Sequence, residues 1–416
     1  MRQSIWDADE LGAGEKTASM QSLGGLVSGI RLWRLPGDWR CSAVLVVFTF
    51  GWIIQLAGVA QGQPTSRESK RHLPAGFYSR MIELENGIQY KYAVFVPAQY
   101  DLSKSKKWPM IVFLHGSGEV GGDGIKQTTV GLPVYISQRP TRFPFIVLMP
   151  QAQAMWFRGQ EAEAVWRMLA KTMADYRVDQ DRVYITGLSM GGFGAWELAM
   201  IQPDAFAAIV PLCGVAQKEF LSNVMNIPVW AFHGALDKNV PVSGSRMAVA
   251  ELKRLGGIPP KYTEYPDLGH ECWDRAYAES GLWRWLLAQK RTTPRVIDYQ
   301  LPQGVAKVWW LAIKAEPNLT TLAHAHAEID ERKNVKVETE GIANWGLMSE
   351  GDLLAPGDEL QVTWNGAVIY RGKFPSTGAL TFNVSSPTTN PATPPPPGHA
   401  TTGPASASIS TTRPAG

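Results

Sequence analysis

Cysteine is scarce: three residues in a chain of 416, too few for a disulfide scaffold to replace a hydrophobic core. Neither sign of charge dominates. Forty Lys and Arg stand against 37 Asp and Glu, a formal net charge of +3, which leaves no electrostatic footprint for nucleic acid. No run of basic residues occurs, so a polybasic membrane patch is excluded too. What is abundant is apolar. Hydrophobic residues make up 45% and aromatic residues 10%, which excludes a disordered or fibrous chain and supplies one large core and a second small one. The 40 Gly and 29 Pro imply many turns and at least one unstructured segment, and 16 Trp is unusually many.

The two ends differ from the middle. Ala43–Ile54 (AVLVVFTFGWII) is apolar and uncharged, follows Arg31, Arg34 and Arg40, and is closed by Gly58, Val59 and Ala60. A positive flank, an apolar stretch and a small-residue exit describe a secretory signal cleaved near Ala60. Counted on to Ala60 the stretch has 18 residues, so an uncleaved membrane anchor is the alternative. Forty residues ahead of the run are long for a signal, and Met20 is a candidate later start. Both readings export the rest of the chain, to the periplasm or beyond. From residue 386 to 416 the sequence is mostly Ser, Thr, Pro, Ala and Gly with no acidic residue, and has Pro394–Pro397 in a row. Such a composition cannot offset its ordering entropy and reads as a disordered tail. The expected organisation is an N-terminal extension with signal or anchor (1–60), a linker (61–75), a catalytic domain (76–291), an all-β domain (295–385) and a tail (386–416).

Within 76–291, apolar runs alternate with helix-period stretches. Tyr92–Val96, Met110–Leu114, Phe145–Met149, Val183–Thr186, Ala208–Leu212 and Val229–Phe232 read as strands, several buried on both faces. Glu161–Tyr176, Gly192–Ile201, Ser245–Leu255 and Arg275–Gln289 read as helices. The alternation predicts an α/β fold with a mostly parallel sheet between helical layers. After Pro294, Lys307–Ile313, Val335–Thr339, Glu359–Trp364 and Ala367–Tyr370 read as short strands, with Asn365-Gly366 as a hairpin turn. A small C-terminal all-β domain, a sandwich, is expected.

One Gly-x-Ser-x-Gly, Gly187-Leu188-Ser189-Met190-Gly191, lies between the strand RVYIT and a helix opening at Gly192. This is the setting of a nucleophile elbow, where small residues make room for a sharp turn. A serine needs a base. Of seven histidines, His270 is favoured: its loop falls at the same sheet edge as Ser189 and comes last in the chain. Asp237, after the strand VWAF, is favoured as the acid that fixes the imidazole; Asp267 competes but lies in the histidine's own loop. Oxyanion donors are expected from the backbone of Met190 and from the turn His115-Gly116-Ser117-Gly118-Glu119, with Ser117 first and Gly118 next. His115 is read as a prop for that loop.

Residues from about Trp108 to Arg291 resemble the α/β-hydrolase superfamily. More narrowly, they are similar to its secreted bacterial carboxylesterase/phospholipase-like and feruloyl-esterase-like branch, related to prolyl oligopeptidases. The match is carried by LHGSGE (114–119), FPFIVLMPQ (143–151), DRVYITGLSMGGFGAWELA (181–199), FAAIVPLCG (206–214), FHGALDKNVPV (232–242) and YPDLGHECWDRAY (265–277). The resemblance implies the α/β-hydrolase three-layer sandwich and the same triad, Ser189, Asp237 and His270. Cys272 departs from the pattern, which usually shows a small polar residue there. The C-terminal segment resembles a module found beside such esterases in some bacteria.

Only Gly214 to Asn226 separates two strands where this fold usually inserts a lid, so an open site is expected, suited to bulky or polymer-linked esters. The stretch from Glu119 to Arg142 is expected to shape the cleft. Trp156 and Trp273 fall in loops at the catalytic edge and are candidates for substrate stacking or, equally, for packing; Arg158 is a candidate for a substrate carboxylate. Cys213 and Cys272 are hypothesised to form a disulfide pinning the His270 loop. His324 and His326 share a strand face, with no third metal ligand evident, and solvent-facing imidazoles are the favoured reading. A serine esterase without metal or cofactor is the leading function; a peptidase using the same triad, and a binding protein on an inactive scaffold, are the alternatives.

Overall fold

The unbroken apolar runs become the central strands because only a strand covered on both faces can bury consecutive side chains. The computed structural model describes residues 76–102, 105–156 and 159–383. The apolar run 43–54, the linker, the tail from 386 and Arg158 lie outside the described residues. Among the described residues no helix is long and apolar enough to cross a membrane.

The first region contains β1 (Phe77–Glu83), β2 (Gln89–Phe95), β3 (Trp108–Leu114), α1 (Leu132–Ser137), β4 (Ile146–Pro150), α2 (Gln160–Asp175) and β5 (Val178–Leu188). It continues with α3 (Met190–Ile201), β6 (Ala208–Leu212), β7 (Trp230–Gly234), α4 (Val242–Leu255), β8 (Lys261–Tyr265), α5 (Trp273–Tyr277) and α6 (Leu282–Ala288). The eight strands form one sheet in the order β1-β2-β4-β3-β5-β6-β7-β8. β1, β2 and β4 pair antiparallel and the rest run parallel. Every residue of β3 is buried. Met110, Val112 and Leu114 face a core completed by α2, α3 and α4. Ile111 and Phe113 face a second core under α1, α5 and α6. The parallel strands all end at one edge, so their following loops converge there.

The expected helix Arg275–Gln289 is two helices. Ala278–Gly281 breaks it, with serine and glycine at its end disfavouring helix, and the break lets Tyr277 and Leu282 enter the same core.

The second region holds β9 (Val296–Leu301), β10 (Val305–Val308), β11 (Leu311–Ala315), β12 (Ala323–Ile329), β13 (Asn334–Glu340), β14 (Ile342–Met348), β15 (Glu359–Trp364), β16 (Ala367–Lys373) and β17 (Ala379–Asn383). They form two sheets, β10-β11-β14-β17 and β16-β15-β13-β12-β9, around one core. The expected strand Lys307–Ile313 is instead a hairpin: Val308 pairs with Leu311, and Trp309 turns the chain at φ 48. A straight strand would aim successive side chains to opposite faces. The turn lets Trp309 and Trp310 both enter the core. Asn365 and Gly366, at φ 45 and 84, join β15 to β16, the left-handed pair that a type I′ hairpin needs.

The two regions are stitched by backbone-directed amides. Asn223 donates to the carbonyl of Gln300 (3.0 Å) and accepts its N–H (2.7 Å). Asn226 donates to Val296 (2.8 Å) and the Tyr299 hydroxyl to Ile201 (2.8 Å).

Candidate active site

The elbow is forced by close approach of backbones. Ser189 sits between β5 and α3 at φ 53, a region that costs a non-glycine residue strain. A Cβ on Gly187 would overlap the carbonyl of Gly191, and one on Gly191 would overlap the carbonyl of Leu114. Glycine at both places is therefore a packing requirement. The second clash also shows that the turn after β3 lies directly against the elbow, as the pairing of Leu114 with Gly187 requires.

Ser189 Oγ is 2.8 Å from His270 Nε2, and His270 Nδ1 is 2.7 Å from Asp237 Oδ2. The Asp237 side chain is 0% exposed and that of His270 15%. The acid takes two further donors on Oδ1, the N–H groups of Asn239 (2.8 Å) and Val240 (2.9 Å). Burial alone would raise its pKa, but those N–H groups and the His270 imidazole outweigh burial and hold the carboxyl below its ordinary value. A carboxylate at Nδ1 makes that nitrogen the donor, leaving Nε2 to accept the serine proton. Asp267, the other candidate acid, is bound by Arg275 Nη1 at 2.8 Å from both of its oxygens.

Ser117 and Gly118 lie exposed on the turn after β3, and Met190 opens α3. A side-chain clamp holds this turn. Gln151 donates to the Glu119 carbonyl (3.1 Å) and to Asp123 Oδ1 (3.0 Å) and accepts the Gly124 N–H (2.5 Å). His115 is buried beneath: Nε2 accepts the Ala152 N–H at 3.0 Å, and Nδ1 donates to the Gly116 carbonyl at 2.6 Å. Burial pushes its pKa down to about 4, which makes it a weak proton acceptor, and its accepting nitrogen is already taken by the Ala152 N–H.

Trp156 differs from the stacking role considered for it. It is 1% exposed, donates through Nε1 to the His115 carbonyl at 2.9 Å and packs edge-on to the His115 ring. An indole filling the space beside Gly194 supports the turn from behind and cannot reach a substrate. Trp273 is half-buried, with its ring 5.6 Å from that of His270 at a right angle. Cys213 and Cys272 are buried thiols with sulfurs 3.0 Å apart, and Cys213 Sγ also approaches the His270 carbonyl at 3.1 Å. The Cys213 thiol and burial push the Cys272 thiol up. The segment between β6 and β7 buries Phe220–Val224 against the body of the protein and provides no lid. α1 packs toward α5 through the core, so the stretch from Glu119 to Arg142 flanks the histidine loop. His324 and His326 keep about a third of their side chains in solvent, 32% and 30%, and also contact Asp298, at 3.1 and 3.2 Å, while His326 contacts Glu328 at 3.0 Å. The cross-strand register brings this third group in, as His326 stands opposite Asp298.

Three residues at this edge were not singled out from the sequence as part of the site. Leu236 and Met155 are exposed apolar side chains in the loops after β7 and β4. His233 lies behind Asp237, 3.2 Å from Oδ2. Its place four residues before the acid, in His233-Gly234-Ala235-Leu236-Asp237, was the available signal.

The phospholipase/carboxylesterase family pattern matches residues 101–279. Those residues carry most of an α/β-hydrolase domain, from β3 to α5. The hydrolase domain is similar to poly(3-hydroxyalkanoate) depolymerase C of Paucimonas lemoignei, 36% identical over 85 residues, 17% of this chain and 20% of that protein. It is also similar to probable feruloyl esterase C of Aspergillus niger, 24% identical over 204 residues, 46% of this chain and 73% of that protein. Among solved structures, a thermostable esterase is 31% identical with a TM-score of 0.48, covering 53% of this chain and 64% of the other. The chain thus spans only about a fifth of the depolymerase's length.

Proposed function

We propose that the protein is an exported serine hydrolase of carboxylic esters. The reading rests on one observation: an unbroken hydrogen-bonded line from a strained serine through an imidazole to a fully buried carboxylate, at 2.8 and 2.7 Å. In this reading His270 takes the proton as Ser189 Oγ attacks the ester carbonyl, and Asp237 stabilises the imidazolium. The N–H groups of Met190 and Ser117, with Gly118 beside them, receive the oxyanion; one such donor is worth about a hundredfold or more in rate. His270 then gives its proton to the departing alcohol, and water releases the acyl group by the reverse sequence. These steps use only protein groups and water.

The absence of a lid segment in the β6–β7 connection favours bulky or polymer-linked esters. Trp273, Leu236 and Met155 give the edge an apolar rim suited to an aromatic or aliphatic acyl group. Likeness to a feruloyl esterase and to a polyester depolymerase agrees with that class. Export follows from the signal-like segment ending near Ala60.

The test is turnover of p-nitrophenyl acetate by the purified chain and its Ser189→Ala variant, followed by feruloyl, acetyl-sugar and hydroxyalkanoate esters beside a peptide panel. Ester turnover that vanishes with Ser189 supports the reading. Equal turnover in the variant, or cleavage of peptides alone, overturns it.

A further inference from the structure

The contacts that hold Asp237 extend beyond His270 and the two backbone N–H groups. His233, at the end of β7, is completely buried, and its Nε2 is 3.2 Å from Asp237 Oδ2, the same oxygen that His270 contacts. Nε2 is also 3.0 Å from the Val240 carbonyl. The carbonyl takes the single Nε2–H, and the Asp237 oxygen lies beside that N–H without receiving it. On the far side, Nδ1 is 2.8 Å from Ser245 Oγ on α4, which lies 3.3 Å from the Gly214 carbonyl. Gly214 is in turn pressed against Gly192, where a Cβ would overlap the backbone that follows the nucleophile. The contacts therefore close a ring: elbow, His270, Asp237, His233, Ser245, Gly214 and back to the elbow.

We propose that His233 is a positioning residue for Asp237, setting the orientation and basicity of the carboxylate and through it the pH range over which His270 acts as a base. This rests on the reading of Ser189, His270 and Asp237 as the catalytic groups. The Nε2–H ties down the Val240 carbonyl, and the Val240 N–H donates to Asp237 Oδ1, so His233 fixes the loop that holds the acid while the edge of its ring lies 3.2 Å from Oδ2. The N–H dipole beside Oδ2 also weakens the carboxylate's hold on a proton at His270. The charged and titratable groups around His233 are few. Asp237 lies in its own loop, Cys213 approaches from the end of β6, and Glu264 stands opposite on β8. Arg246 of α4 and Tyr262 bind Glu264 and hold it ionised, at about 2. Asp237 is thus the acid that His233 contacts directly.

The experiment is the pH profile of kcat and KM for p-nitrophenyl acetate in the full chain, with His233→Phe, His233→Gln and Ser245→Ala beside Ser189→Ala. Phenylalanine keeps the volume and removes the donor. It should lower kcat about tenfold with KM unchanged and move the acid limb up by about half a pH unit. Glutamine, which can place an N–H near the lost one, should restore the acid limb and recover most of kcat. Ser245→Ala leaves His233 in place without its second anchor and should give a smaller shift of the same sign, which decides the matter if the phenylalanine variant does not fold. An acid limb unmoved in all three variants, or equal losses in Phe and Gln, overturns the proposal. Unchanged turnover in Ser189→Ala overturns the underlying reading instead, so the two failures are distinct.

Discussion

The hydrolase domain and the C-terminal strands each hold a carboxylate between two imidazoles. Asp237 lies between His270 and His233, and Asp298 lies between His324 and His326. The chemistry of the groups is the same, and the surroundings differ. The Asp237 side chain is fully buried and receives two backbone N–H groups, and the His270 imidazole reaches a serine held in a strained turn. The Asp298 side chain is 26% exposed and sits beside the seam where Gln300 of the same strand bonds Asn223. A histidine–carboxylate pair becomes reactive when the backbone delivers a nucleophile to it, and otherwise it fastens one strand to another.

The largest effect that sharpens this contrast is removal of the proposed nucleophile. Ser189→Ala should cut ester turnover by about 10⁴-fold or more while leaving the unfolding midpoint within a degree or two; Asp298→Ala should leave turnover intact. A loss of activity in the second variant comparable to the first would erase the distinction.

Trp156→Ala attacks the support of the proposed oxyanion turn. Deleting a buried indole should cost about 3–5 kcal/mol, read as a lower midpoint in urea, with turnover falling alongside because His115 loses its packing partner. A stable variant with normal activity would return Trp156 to the surface role that its burial contradicts.

Cys213 and Cys272 back the Asp237 cluster. If the chain is exported as proposed, oxidation should join them, stabilising the protein by about 2–4 kcal/mol and fixing the His270 loop. Peptide mass spectrometry with and without reductant checks this, and two alkylatable thiols in the oxidised protein would end the idea.

The Asp298 cluster should respond to pH in a defined window. Burial would raise the Asp298 carboxyl, but His324 and His326 hold it at about 2. Its contribution is therefore complete above an ordinary carboxyl pKa of about 4 and is lost as pH falls toward 2. His326 shifts the other way: burial would lower it, yet Glu328 and Asp298 raise it. Its contribution is complete below about pH 6.5 and is lost as pH rises through the higher folded value. The difference in melting temperature between wild type and Asp298→Asn should peak between about pH 4 and 6.5. A difference flat from pH 3 to 9 would show that the cluster carries no linkage. The smallest effect is expected for Trp273→Ala, a rise of several-fold in KM for aromatic esters and little change in kcat.

Much of the architecture was legible from local pattern. Unbroken apolar runs marked β3, β4 and β6, because burial on both faces removes any polar alternation. The glycines around Ser189 marked the elbow, because a Cβ there collides with backbone. Chain order singled out His270 and Asp237 as partners for that serine. What escaped the pattern were contacts between elements far apart in the chain. An indole reads alike whether it lines a cleft or props a turn, so Trp156 was open between the two. Adjacent tryptophans look like strand, and only their common core shows why the chain turns at Trp309.

The sequence by itself determined the central buried strands, where the sharp turn falls and which side chains could act there, since these follow from periodicity, glycine sterics and residue chemistry within a few neighbouring positions. Tertiary structure alone decided that Asp237 is shared with His233, that the two buried sulfurs meet behind His270, and that His324 and His326 find Asp298. Each depends on how separate strands and helices dock, and docking is set by the packing of whole faces, which no short stretch of chain encodes.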